Sequence, residues 1–78
     1  MRSSDQPQPA LGKAIRQLRK EREMTQEALA HEAGVTVGHL SMTERGLSNP
    51  TWGTAKGIAS ALGVSMGEMA KLADTLEE

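Results

Sequence analysis

The chain of 78 residues has no cysteine, no phenylalanine and no tyrosine, and only one tryptophan. Without cysteine there is neither a disulfide framework nor a thiolate metal site, which fits a reducing compartment. No apolar run approaches the roughly 18 residues of a membrane span. Met1–Ala10 is polar and carries prolines, unlike an apolar signal segment. The expected location is therefore cytoplasmic, with no membrane partner. An excess of positive charge is missing too, since nine Lys and Arg face ten Asp and Glu for a net charge of −1. Taken alone, that balance speaks against a nucleic-acid binder, because neutralising phosphates calls for surplus Lys and Arg. A chain this small buries only about 60% of the surface its unfolded form exposes, which leaves no room for a second core or a deep substrate cleft. There is no nucleophile–base pair, no glycine-rich phosphate cradle, no carboxylate constellation and no His/Glu spacing suited to a metal. The expectation is that the chain is not an enzyme and takes no cofactor or metal.

What is present is helical periodicity with strong punctuation. Met1–Gln8 is polar and is expected to be a loose arm, with the folded domain running from Pro9 to Glu78. Leu11, Ala14, Ile15, Leu18 and Arg22 lie on one helical stripe after Pro9, which predicts a first helix over about Pro9–Glu23. Thr25 can cap a second, Gln26–Glu32, with Leu29, Ala30 and Ala33 inward and Gly34 as its left-handed stop. Thr36 can cap a third, Val37–Arg45, which Gly46 follows. Leu47-Ser48-Asn49-Pro50 is turn chemistry. Thr51 then caps a fourth, Trp52–Leu62, whose inward stripe is Trp52, Ala55, Ile58, Ala59 and Leu62. Trp52 is expected as a core plug. Ser65-Met66-Gly67-Glu68 has the form of a capping box ahead of a fifth helix, Met66–Leu76. Its stripe of Met66, Met69, Leu72 and Leu76 suits a core face or a dimer seam equally. Five short helices with brief links and no alternating strand pattern predict an all-α bundle.

The stretch Gln26–Arg45 carries the functional information. It holds two short helices joined by a three-residue turn containing glycine, the arrangement of a helix-turn-helix. A steep crossing over so short a link needs a small residue where the helices meet, a glycine-compatible turn and apolar filling beneath. Ala30, Gly34, Val35 and Leu40 supply these. With Ile15-Arg16-x-Leu18-Arg19, Met24-Thr25-Gln26-x-x-Leu29-Ala30, Ala33-Gly34-Val35, Leu40-Ser41, Glu44-Arg45-Gly46, Asn49-Pro50 and Ala61-Leu62-Gly63-Val64-Ser65, the sequence resembles the helix-turn-helix domains of the phage lambda Cro and repressor type. These are also called the xenobiotic-response-element-like family of bacterial regulators, and the likeness spans about Leu11–Leu76. It implies a five-helix lambda-repressor-like fold, with the third helix in the DNA major groove and Gln26 on a phosphate. It further implies a buried structural ion pair between Arg19 and Glu44. Base-reading positions carried over by register are Val37, Gly38, Ser41 and Met42, with Thr36 at the helix entry.

This chain departs from its relatives at those positions. Val37, Gly38 and Met42 offer no side-chain hydrogen bond, so bidentate base readout is missing. Val37 suits a thymine methyl, Gly38 a close backbone approach and Ser41 a single hydroxyl contact, while His39 and DNA shape are further sources of specificity. Thr43 stands where relatives have an apolar core residue, so its hydroxyl needs a partner, for which the His39 or Leu40 carbonyl is expected. Arg45 is expected on a phosphate, Arg16 and Lys13 suit either a phosphate clamp or a solvated face, and His31, Lys20 and Arg22 read as surface.

The charge objection weakens once charge is followed along the chain. Residues 1–56 hold eight Lys and Arg against six Asp and Glu, whereas residues 57–78 hold one against four. The acidity is therefore a C-terminal feature. The leading expectation is a sequence-specific DNA-binding regulator, a repressor or autoregulator acting as a homodimer on double-stranded operator DNA. The alternatives are a protein-interaction module on the same fold, facing its partner with Val37, Gly38 and Met42, or a DNA-binding antitoxin or controller that works with a second protein.

Overall fold

The computed structural model describes residues 9–77, so the arm expected at Met1–Gln8 lies outside the described residues. Among these are five helices and no strand: α1 (Pro9–Glu21), α2 (Gln26–Ala33), α3 (Val37–Glu44), α4 (Trp52–Leu62) and α5 (Met66–Leu76). None is long and apolar enough to cross a membrane.

Four of the starts are written in hydroxyl side chains. Thr25, Thr36 and Thr51 accept from the backbone N–H of Ala28, His39 and Thr54, each at 3.0–3.1 Å. Ser65 accepts from Glu68 N–H at 3.0 Å while the Glu68 carboxylate takes the Ser65 N–H at 2.8 Å, a complete capping box. Each such cap satisfies an N–H that the helix itself leaves unpaired and stabilises by about 1 kcal/mol.

The helix ends are less evenly encoded. Gly34 closes α2 at φ 77°, with Gly34 N–H on His31 and Val35 N–H on Ala30. Helix α1 closes with the same pair of bonds, Glu23 N–H on Lys20 and Met24 N–H on Arg19, yet the left-handed residue there is Glu23 at φ 56°. The expected first helix therefore stops two residues early, at Glu21. Its continuation to Glu23 is excluded because a left-handed residue breaks the α ladder. Helix α2 runs one residue further than expected, to Ala33, and α3 ends at Glu44 with Arg45 as its C-cap.

The core is Ile15, Leu18, Leu29, Ala30, Leu40, Ala55, Ile58, Ala59, Leu62 and Met69. Helix α1 packs along α5, and α2 along α4, while α3 is held mainly by α1 and α2. Backbones touch where glycine allows it. A Cβ on Gly12 would meet the Thr43 carbonyl oxygen and stand 2.7 Å from the Glu44 carbonyl oxygen, so α1 and the end of α3 pack without an intervening side chain. On α5, Met69 is core while Met66 and Leu72 are half-buried against it.

Trp52 overturns an expectation. It is 69% exposed, not a core plug. Its spacing to Ala55 and Ala59 is right for the inward stripe, but burial along α4 begins only at Ala55. Helix α4 packs on α2, α1 and α5, and its first turn, where Trp52 sits, runs past that contact.

Candidate nucleic-acid interface

Three residues, Gly34 to Thr36, separate α2 from α3, and the geometry of this corner decides which side chains of α3 face out. Leu40, Thr43 and Glu44 are buried. At 100° per residue the opposite side of the helix belongs to Gly38 and Met42, with Val37 and Ser41 on the adjoining row. Val37 is 38% and Met42 44% exposed, Ser41 and His39 are half-buried, and Gly38, Thr36 and Arg45 are exposed. A Cβ on Gly38 would meet nothing within 4 Å, so nothing inside the protein requires glycine there.

The polar groups around this face are largely committed to the protein itself. Thr43, buried, donates its hydroxyl to the His39 carbonyl at 2.9 Å, one of the two partners expected for it. The Thr36 oxygen accepts the His39 N–H. Beneath α3 the Glu44 carboxylate takes Arg19 Nε at 2.7 Å and Arg19 Nη2 at 3.1 Å, a bidentate pair in which the Glu44 side chain is 2% exposed. Arg19 Nη1 also donates to the Met24 carbonyl at 2.9 Å. This one ion pair therefore ties α1, the α1–α2 link and the end of α3 together.

Sequence reasoning missed the third donor to that carboxylate. Gln26 Nε2 donates to Glu44 Oε1 at 3.0 Å. Because an ionised carboxylate can only accept, the contact fixes the amide orientation. One Nε2 hydrogen points at Glu44, and the second is left for an outside acceptor. Gln26 is half-buried at the first position of α2, where its environment favours an anion. No local pattern signals this bond, since the two residues are 18 apart in sequence.

Among the described residues, Leu47 (54% exposed) and Trp52 join Val37 and Met42 as the large apolar side chains left exposed, and all four fall between residues 37 and 52. Leu47 N–H donates to the Met42 carbonyl at 2.9 Å, closing the end of α3. Lys13, Arg16 and Arg45 are exposed, as are Lys20, Arg22, Lys56 and His31. Among the described residues no group of His, Asp and Glu is arranged to hold a metal.

A helix-turn-helix family model matches residues 15–69. The chain belongs to the helix-turn-helix family of DNA-binding transcriptional regulators. It is 41% identical over 59 residues to the uncharacterized HTH-type transcriptional regulator y4dJ of Sinorhizobium fredii, covering 76% of this chain and 77% of that protein. It is 38% identical over 56 residues to the immunity repressor protein of Bacillus phage phi105, a match that covers 72% of this chain and 39% of that repressor. Among solved structures, the clp gene regulator ClgR from Corynebacterium glutamicum superposes with a TM-score of 0.86 at 30% identity, covering 91% of this chain and 92% of that one. In this helix-turn-helix regulator, α2 and α3 are the two helices of the motif.

Proposed function

We propose that the chain is a repressor or autoregulator that binds operator DNA with α3 in the major groove. The observation that carries this reading is the outer face of α3, left bare beside the first residue of α2 by a three-residue turn. In this arrangement Val37, Gly38, Ser41 and Met42 face base edges, Thr36 and His39 flank them, and Gln26, Arg45 and Arg16 meet phosphates. Gln26 contributes the amide hydrogen that Glu44 does not use.

The small positive balance of residues 1–56 gives one subunit modest affinity, so two subunits on a pseudo-palindromic site, with half-sites about 34 Å apart, supply tight binding. The working form is then a homodimer in the cytoplasm. The parallel with the phage immunity repressor extends only over the matched part of that protein.

Two variants separate positioning from reading. Gln26→Ala should weaken binding to every duplex alike while leaving the salt slope unchanged, because its neutral amide displaces no counterion, while Ser41→Ala should change the order of preference among sequences. Equal, sequence-independent losses from both would refute the assignment. No binding to any duplex at low salt would refute DNA binding by the isolated chain and favour a protein partner at the Val37–Met42 face.

A further inference from the structure

We infer that this chain reads its operator through the C5-methyl groups of thymines, with Val37 and Met42 as the contacting side chains and Gly38 as the notch that brings α3 within reach of them. The inference rests on the reading of α3 as the groove helix. It follows from which groups the fold has left available there.

Bidentate recognition of guanine or adenine needs Arg, Lys, Asn or Gln reaching out from the reading helix. The α3 sequence, Val-Gly-His-Leu-Ser-Met-Thr-Glu, contains none of them. Of its polar side chains, Thr43 and Glu44 are buried and bonded within the protein. His39 and Ser41 are half-buried. Arg45 is exposed but stands at the C-cap, whereas base contacts are made by the N-terminal part of a recognition helix. What the outer face presents ahead of that C-cap is apolar: Val37 at the first position of α3, and Met42 one turn beyond Gly38 on the row of that glycine.

In the major groove only one base offers an apolar group to such a surface, and that group is the thymine methyl. Gly38 completes the fit. It lies at the middle of the outer face, carries no Cβ, and is required by nothing in the fold. It stands second in α3, in the first turn, where glycine still has a lower helix propensity than alanine, so its place is explained by what must come close to it.

The experiment begins with a duplex selected from a random pool by the full chain, in which each thymine of a half-site is replaced in turn by deoxyuridine. That change removes one methyl and leaves the base-pairing edges as they were. Binding should fall about four-fold for each methyl in contact, the equivalent of one buried CH₂, and about fifteen-fold when both half-sites are changed. In Val37→Ala or Met42→Ala the difference between thymine and uracil should shrink at one position while the other position keeps it.

Gly38→Ala gives an independent readout of opposite sign, with the melting temperature rising and affinity for the selected duplex falling ten-fold or more. Thymine and uracil duplexes bound equally well would overturn the methyl reading while leaving DNA binding intact. Gly38→Ala binding as tightly as the parent would overturn the role of the notch. Failure to select any duplex would overturn the DNA-binding reading itself, and this inference with it.

Discussion

Replacing Arg19 by methionine removes one side of the ion pair on which three segments converge and leaves the Glu44 carboxylate buried with Gln26 as its remaining side-chain partner. The two side chains are only 11% and 2% exposed, so water restores little of the lost interaction. Breaking a buried pair from one side costs about 3–5 kcal/mol, chiefly for the stranded charge. Glu44→Leu should cost a similar amount by stranding the guanidinium, which would keep only the Met24 carbonyl. A chain of 78 residues has a total stability of about 4–12 kcal/mol at typical values per residue. Either single variant therefore removes a large share of it. The double variant Arg19→Met/Glu44→Leu strands neither charge, and replacing a buried pair by apolar residues is often close to neutral. It should be more stable than either single variant. Urea denaturation followed by circular dichroism on the four proteins yields the coupling energy, expected to be at least about 3 kcal/mol. Single variants that each lose less than about 1 kcal/mol, or losses that simply add in the double variant, would refute the assignment of this pair as the clasp of the fold.

Two further predictions concern the backbone. Gly12→Ala places a methyl against the Thr43 and Glu44 carbonyls, rigid groups that can yield only if α1 and α3 part. The overpacking cost of about 1–3 kcal/mol or more should outweigh the propensity gain of about 1 kcal/mol, whereas Gly53→Ala, with nothing within 4 Å, should keep that gain. Melting temperatures moving in the same direction for both would contradict the close approach. Glu23→Gly should stabilise by about 0.5–1 kcal/mol, because a left-handed non-glycine residue costs about 1–2 kcal/mol and glycine recovers part of it; a lower urea midpoint would show that the Glu23 side chain contributes something beyond its backbone.

The elements most open to sequence reasoning are those fixed within four residues. Thr25, Thr36, Thr51 and Ser65 each bond an N–H three residues on, and such local chemistry can be read without knowing the fold. The left-handed stop at Gly34 was legible for the same reason, while the equivalent stop at Glu23 was not, since tertiary packing had to impose it on a residue that disfavours it. Trp52 was misplaced because periodicity gives the direction of a side chain and not how far along the helix a neighbour extends to cover it. The ion pair could be placed by resemblance alone, since its partners are 25 residues apart, and Gln26 could be linked to a phosphate but not to Glu44.

That last contact resolves a tension in the charge pattern. Glu44 stands in the last turn of α3, where a negative charge opposes the helix dipole, and its carboxylate is one bond from the side chain proposed to meet a phosphate. An uncompensated carboxylate there would repel the backbone of the DNA. Arg19 supplies two donors to it at 2.7 and 3.1 Å and cancels the charge inside the protein, so Glu44 orients Gln26 without presenting net charge to the groove. The same cancellation removes Arg19 from the free cations, so the proposed phosphate contacts fall to exposed side chains such as Arg16 and Arg45. Weak phosphate attraction of this kind would make specificity depend more heavily on how closely α3 fits its site, which is the property proposed for Gly38 and its apolar neighbours.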